Sequence, residues 1–193
     1  AVKIYWNEGD ALSLFSTNDG MEHLNIEIPS TSVSGTSAQF YGEVEAGTTD
    51  FVAIYPYASA ATYNSGVIST VIPTTQSATS GSFANGAALC IASGTRTPGS
   101  TEVSGLNFSS LCSVIGFTLP SNIDFAQSVT ISAKSGAKLA GSVSINCETA
   151  QITSVSEGSI TLSGDFVGGN TYSFSGAVLQ KSGAATDMKL TLQ

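Results

Sequence analysis

Short apolar segments separated by turn residues are the feature of this sequence that most restricts its fold. About a dozen segments of strand length recur roughly 8–16 residues apart, and Gly, Pro, Asn, Asp or Ser lie between them. Several alternate apolar and polar residues, as Leu24–Ile28 does, with Leu24, Ile26 and Ile28 predicted to point inward. No segment carries the sustained apolar stripe of an amphipathic helix. The sequence therefore predicts an all-β sandwich with at most short helical turns, rather than βαβ units.

The predicted strands differ in how apolar they are. Leu106–Pro120 contains the most continuous apolar run and no charged residue, so we predict a strand buried on both faces at the centre of the core. The chain of 193 residues suits one large β domain, and no linker or repeat divides it, so residues 1–193 are predicted to form a single domain. The other predicted strands are Val2–Trp6, Ala11–Phe15, Leu24–Ile28, Ser37–Val44, Asp50–Tyr57, Val67–Ile72, Ala87–Ser93, Gln127–Ala133, Leu139–Ile145, Gln151–Val155, Ser159–Leu162, Thr171–Leu179 and Met188–Leu192.

The charge of the chain excludes some partners. Only 10% of residues are charged and the net charge is -8, with six basic residues scattered along the sequence. So few cations cannot neutralise a row of phosphates, so we expect no nucleic-acid partner. The same shortage argues against an electrostatic hold on anionic lipid. A neutral surface rich in Ser and Thr is common in exported β proteins.

The cysteines and the histidine do not suggest a metal site. Cys90, Cys112 and Cys147 contain no C-x-x-C spacing, and His23 is the only histidine. A zinc site is therefore not predicted. We expect the three thiols to be buried and unbridged, because Cys90 and Cys112 lie in apolar segments where a thiol packs as a small apolar group. The alternative is one disulfide that leaves the third cysteine over.

The candidate catalytic groups have simpler structural explanations. His23 would have to serve any nucleophile–histidine arrangement, but it lies at a predicted turn among acidic residues. Glu43 and Glu45 are two apart on a predicted strand and face the same side, while Glu8 and Asp10 flank Gly9 in a turn. We therefore predict a protein that is not an enzyme, with no catalytic, cofactor-binding or metal-binding residues.

Aromatic residues leave open an alternative function. Exposed rings on a hydroxyl-rich surface can stack on sugars, which would make this chain a secreted carbohydrate-binding module. Against this alternative, aromatic residues inside apolar strands more often belong to the core or its edge. The candidate rings are Trp6, Tyr41, Tyr55, Tyr57 and Tyr63.

Six stretches follow one another in an order and spacing that resemble a known family. In this order they resemble the fimbrillin family, the subunits of type V pili of Bacteroidia, and specifically its N-terminal domain. The resemblance covers most of residues 6–179. The stretches are WNEGDALSLF at 6–15 (the family's W-x-x-G-D), AQFYGEV at 38–44 (A-x-F-x-G), FVAIYPY at 51–57 (A-x-Y-P), VIPTTQ at 71–76 (L-P-x-x-Q), LNFSSLCSVIGFTL at 106–119 (F-x-N/S-L-C-S-x-I) and LAGSVSI at 139–145.

The resemblance implies a transthyretin-like Greek-key β-sandwich and a role as a cell-surface fimbrial subunit or adhesin. It also implies export as a lipoprotein to the outer membrane, and assembly with other pilus subunits by donor-strand addition. Host or bacterial surface molecules are further expected partners. The chain departs from the family in having length for only the first of two sandwiches, and in lacking the lipobox cysteine through which the membrane would be reached. These departures leave three interpretations open: the chain is a fragment, a minor subunit or a single-domain relative of the family.

Both ends of the chain have the alternation that strand exchange needs. A donated strand adds to an open sheet edge through its main chain, and apolar side chains at alternate positions enter the groove. Val2 and Ile4 alternate at the start of the chain, and Met188, Leu190 and Leu192 alternate at its end. Either end is a candidate strand-exchange edge, and either is equally explained as an ordinary paired strand.

Overall fold

The computed structural model describes residues 5–123, 125–134, 136–177 and 188–192. These residues form sixteen strands and no helix, which confirms the predicted all-β class. No segment within them meets the length and hydrophobicity that a helical membrane span requires. The strands are β1 (Ala11–Ser16), β2 (Ile26–Ser34), β3 (Ser37–Phe40), β4 (Asp50–Tyr55), β5 (Thr62–Asn64), β6 (Val67–Ile72), β7 (Thr75–Ser77), β8 (Cys90–Thr95), β9 (Ser109–Ser110), β10 (Cys112–Thr118), β11 (Ser128–Ala133), β12 (Ala140–Asn146), β13 (Gln151–Glu157), β14 (Ser159–Ser163), β15 (Thr171–Ala177) and β16 (Met188–Leu192).

The described residues fall into two compact units, each drawn from three stretches of the chain. The first unit takes its residues from Ala1–Thr70, Leu89–Ser110 and Ile145–Gln151. The second takes its residues from Val71–Ala88, Leu111–Ser144 and Ile152–Gln193. Four strands, β13, β12, β6 and β5, pair in that order in a sheet of their own.

The first unit contains a six-stranded sheet with the order β3-β2-β1-β4-β8-β9. Its centre is the antiparallel pair β1 and β4, in which Leu14 lies opposite Ala53 and Phe15 opposite Val52. Almost every residue of both strands is buried, because each strand has a neighbour on both edges and covered faces. The core cluster on this sheet consists of Leu12, Leu14, Ile28, Phe51 and Ala53, with Ile26, Phe40, Val44, Val103, Leu106 and Phe108 packed against it.

The second unit is a sandwich of two sheets. One sheet has the order β16-β11-β14-β7, and the other is the antiparallel pair β10 and β15. Gly176 of β15 lies against Ile160 of β14, where a Cβ added to the glycine would be 2.7 Å from Ile160 Cδ1. The buried side chains between the sheets are mainly aliphatic or aromatic, including Val129, Ile131, Ile160, Leu162, Tyr172 and Phe174.

The prediction for Leu106–Pro120 is wrong in one important respect. The segment forms β9 and β10, and β10 pairs with β15 alone in the described part of the chain. Most of its apolar side chains are half-buried rather than buried. The predicted inward position of Leu24 is also wrong, since Leu24 is 58% exposed and precedes β2. The central strands of the first unit are β1 and β4 instead.

Candidate functional site

Asp10, one of the acidic candidates, has a structural role. Its carboxylate is buried and accepts the hydroxyl of Tyr55 at 3.0 Å through Oδ1 and the N–H of Asn7 at 2.7 Å through Oδ2. Burial of the Tyr55 phenol, followed by the charge of Asp10, raises the pKa of Tyr55 well above its ordinary value. Asp10 therefore holds the turn after Trp6 against β4.

The other candidate catalytic groups are not brought together with Asp10. His23 is half-buried, its Nδ1 lies 2.7 Å from the carbonyl oxygen of Ser16, and its ring packs edge-on against Tyr63. Glu43 and Glu45 are both exposed. Across the described residues, no cluster of three His, Cys, Asp or Glu side chains could hold a metal ion.

The three cysteines form no disulfide. Cys90 is buried as predicted, whereas Cys112 and Cys147 are half-buried. Burial raises the pKa of the Cys147 thiol, and a hydrogen bond from the backbone of Ile68 opposes that shift in part. A thiol with a raised pKa is a poor nucleophile at neutral pH, so Cys147 has the character of a packed side chain.

The five candidate sugar-stacking rings do not form one exposed platform. Trp6 packs edge-on against Phe40, Tyr55 and Phe108, with ring centroids 4.9–5.4 Å apart. Tyr55 is buried and Tyr63 stacks on Phe15, so neither ring offers a free face. Tyr41 is 75% exposed.

One edge of β15 is hydrogen-bonded by a side chain and by loop backbone instead of by a neighbouring strand. The N–H of Ser175 donates to Oε1 of Gln76 at 3.1 Å, and Nε2 of Gln76 donates to the carbonyl of Ser175 at 2.6 Å. On the same edge, the N–H of Gly81 donates to Thr171 and the N–H of Ala177 donates to Leu139, both at 2.8 Å. The Gln76 side chain thus links β7 of one sheet to β15 of the other and seals that flank of the second unit.

The alternation of an antiparallel ladder fixes where the backbone groups of β10 point. Successive residues of a strand direct their N–H and C=O groups to opposite edges. Since Ser175 is bonded to Gln76, its partner Val114 is not bonded to β15, and the bonded pairs are those around Ile115 and Phe117. The N–H and C=O groups of Val114 and Gly116 therefore face the other edge of β10. Among the described residues, no strand pairs with β10 on that edge.

The core of the second unit is incompletely covered beside this edge. Ile115 and Phe117 lie opposite Phe174 and Tyr172 and on the same face of the sheet. Phe174 and Tyr172 are 1% exposed, yet Ile115 and Phe117 are only half-buried. The apolar face therefore extends to β10, and among the described residues no strand beside β10 covers it.

The C-terminal candidate strand also leaves apolar side chains partly exposed. β16 pairs with β11, and Leu190 and Leu192 lie opposite the fully buried Ile131 and Val129. Leu190 and Leu192 nevertheless remain 47% and 40% exposed. In the sheet order β16-β11-β14-β7, β16 stands at the end away from β7 and Gln76.

The sequence-based candidates cover part of this site. Met188, Leu190 and Leu192 lie in β16, which pairs with β11 at one end of its sheet, and their use in strand exchange stays a prediction. Val2 and Ile4 lie outside the described residues. The β10 edge was missed, because its apolar run indicates burial and gives no sign of which strand edges are paired. The role of Gln76 was also missed, because in the sequence this residue is notable only as the last residue of VIPTTQ at 71–76.

Comparison with known proteins gives one structural likeness. No protein-family model matches the chain, and none of the curated protein sequences compared with it matches. The chain is similar in structure to a crystal structure of a proposed cell adhesion protein from Bacteroides uniformis, with a TM-score of 0.52 and 19% sequence identity. The match covers 97% of this chain and 74% of the other. At this identity the likeness shows a shared all-β fold.

Proposed function

We propose that this protein is a non-enzymatic subunit of a cell-surface adhesive structure, of the fimbrial kind, and that it joins neighbouring subunits by strand addition at the β10 edge. The observation that carries the proposal is the outward row of N–H and C=O groups on Val114 and Gly116. The half-buried side chains of Ile115 and Phe117 beside that row support it. The adhesion role proposed for the structurally similar protein is consistent with a location at the cell surface.

The mechanism follows from the geometry of the edge. An incoming strand hydrogen-bonds through its main chain, so affinity depends little on its sequence. Its side chains alternate, and those on the core side cover Ile115 and Phe117. Apolar residues at alternate positions bury the most surface there. On the β15 edge, groups of Thr171, Ser175 and Ala177 are already hydrogen-bonded, so within the described residues the strand is added at the β10 edge.

Both chain ends have the required alternation and are proposed as donors. Met188–Leu192 has apolar residues at alternate positions, and in the present structure it pairs with β11 of its own chain. Val2 and Ile4 give the N-terminal end the same alternation. Export, the outer membrane and a lipid anchor belong to the same proposal, as does membership of the fimbrillin family.

The test uses a proline placed where it blocks the free edge of β10 without breaking the pairing of β10 with β15. Gly116→Pro removes an N–H that points away from β15, so the β10–β15 ladder keeps all its bonds. Gly116→Ala keeps that N–H and is the matched control. The probes are fluorescent peptides with the sequences AVKIYW and MKLTLQ, which are the two ends of the chain.

We expect wild-type protein and Gly116→Ala to bind at least one peptide with similar affinity, measured by fluorescence anisotropy. Gly116→Pro is expected to weaken that binding by about ten-fold or more, because it loses a main-chain bond and obstructs the edge. Thermal melts establish that both variants are folded. Equal binding by Gly116→Pro, or failure of wild-type protein to bind either peptide or to self-associate at high concentration, contradicts the proposal.

A further inference from the structure

Gly116 interrupts the row of side chains on the outer face of β10. A glycine inside a strand weakens it, and it usually marks a bulge, an unusual backbone conformation or a close approach by another group. Its neighbours on the same face are Val114 and Thr118. One of these features is therefore expected around Gly116.

The described residues supply none of the usual reasons. The β10–β15 register is continuous from Cys112 opposite Ala177 to Thr118 opposite Thr171, so there is no bulge. The φ angle of Gly116 is not positive. A Cβ added there would meet nothing closer than Ser173 Oγ at 3.5 Å, which is an ordinary contact.

Gly176, in the partner strand β15, differs from Gly116 because its surroundings leave no room for a side chain. A Cβ added to Gly176 would lie 2.7 Å from Ile160 Cδ1 and 3.0 Å from the carbonyl oxygen of Leu139. Packing inside the second unit therefore requires a glycine at 176. No internal contact among the described residues requires one at 116.

The absent side chain leaves a notch on the surface beside the open edge. The residue opposite Gly116 is Ser173, which is small and half-buried, while Gly116 itself is exposed. Val114 and Thr118 bound the notch along β10. A strand added to β10 places one side chain directly over this notch, because residues opposite each other on neighbouring strands share a face.

We infer that the notch makes Gly116 a specificity-determining residue, which selects an incoming strand with a bulky aromatic side chain opposite it. The inference rests on the function proposed above. An aromatic ring laid over a cross-strand glycine covers exposed backbone that no side chain of β10 covers. The two residues that flank the aromatic one face Ile115 and Phe117, so they are apolar. The recognised partner is a strand with the pattern apolar–aromatic–apolar.

The test measures the aromatic preference and its dependence on Gly116. The probes are the peptides KTVYVTK and KTVAVTK, whose symmetrical sequences present the central residue in the same way in parallel and antiparallel pairing. Gly116→Val fills the notch, keeps the N–H and suits a strand. Ser113→Val is the matched control, since Ser113 is exposed on the opposite face of β10.

Wild-type protein and Ser113→Val are expected to bind KTVYVTK about five-fold more tightly than KTVAVTK, the size of a good cross-strand aromatic pair. Gly116→Val is expected to reduce the ratio below about two-fold. In nuclear magnetic resonance titrations, ring-current shifts should fall on the methyl groups of Val114 and Thr118.

Three results would overturn the inference. If both peptides bind wild-type protein equally, strand addition stands and aromatic selection does not. If Gly116→Val retains the five-fold preference, the aromatic residue binds somewhere other than the notch. If neither peptide binds, the proposed function and the inference fail together.

Discussion

The amide of Gln76 takes the place of a neighbouring strand along part of β15. Its side chain is 3% exposed, and it makes two hydrogen bonds with the backbone of Ser175 and one with the carbonyl of Pro73. A buried amide is stable only when such partners are present. Both backbone groups of Ser175 depend on this side chain for their partners.

Replacing Gln76 by Met keeps the volume and removes the hydrogen bonds. We expect Gln76→Met to lower the free energy of unfolding by about 3 kcal/mol, because it leaves a buried N–H and C=O unsatisfied. The exposed Gln127 supplies the control, and Gln127→Met should change stability by less than about 0.5 kcal/mol. Urea unfolding measures both, and hydrogen exchange of the Ser175 amide should accelerate only in the first variant. An unchanged exchange rate would disprove the role of Gln76.

Tyr55 makes stability depend on pH in the alkaline range. Its pKa is raised in the folded state above the ordinary value of 10.0, first by burial and then by Asp10. Below pH 10 the phenol is protonated in both states and its contribution is complete. Above pH 10 the unfolded chain loses the proton first, so stability falls as pH rises.

Tyr55→Phe should be less stable than wild type at pH 8, by about 1–2 kcal/mol, because the hydrogen bond to Asp10 is lost. Between pH 10 and 11 the variant should lose stability less steeply than wild type, since it lacks this titrating group. Tyr41→Phe is the control, because Tyr41 is exposed, and it should keep the wild-type slope. Urea unfolding at each pH gives the slopes, and parallel curves for Tyr55→Phe and wild type would refute this account.

At the scale of elements, a long uncharged apolar run proved a poor guide to the centre of a sheet. Leu106–Pro120 carries such a run, yet among the described strands its β10 pairs with β15 alone, whereas the shorter β1 pairs with both β2 and β4. β1 is buried although it contains Ser13, whose hydroxyl accepts the N–H of Ala58. A short polar side chain with a backbone partner can be buried at little cost, and hydropathy alone does not register this.

Strand positions were predicted well where alternation and turn residues agreed. Val67–Ile72 and Met188–Leu192 coincide with β6 and β16. The strands that were missed, β5 and β7, have three residues each, too few for a periodicity to appear. Pairing partners and open edges arise from contacts between distant segments, so the candidate site could be predicted only as far as the alternating C-terminal strand.

Proline substitutions test the orientation of β10 independently of any assembly. Ile115→Pro removes an N–H that is bonded to β15, so we expect it to destabilise the protein by about 3 kcal/mol or more. Gly116→Pro removes an outward N–H and should cost less than about 1.5 kcal/mol. Thermal unfolding compares the two. If both substitutions are equally destabilising, the assignment of bonded and outward residues is wrong.

At the scale of the whole molecule, the chain alternates between the two compact units. The first unit needs Ile145–Gln151, and the second needs Val71–Ala88, which carries Gln76. Neither unit is therefore one continuous stretch of sequence. A cut at any point between β1 and β16 separates strands of at least one unit.

A division after Ser110 illustrates the consequence. The fragment of residues 1–110 lacks Ile145–Gln151, and the fragment of residues 111–193 lacks β7 with Gln76. We expect neither fragment to fold alone, because each leaves apolar strand faces uncovered. Poor dispersion of amide resonances would support this expectation. A well-dispersed spectrum from either fragment would show that a unit is more independent than its composition indicates.

The difference between the two edges of the β10–β15 pair has a geometric consequence for any assembly. An edge that receives a strand donated from elsewhere on the next molecule joins two unlike surfaces. Such a heterologous contact repeats head to tail, and it yields a ring if the rotation closes and a filament with a direction if it does not. The two ends of such a filament would differ, because one end molecule offers its receiving edge and the other offers its donor strand.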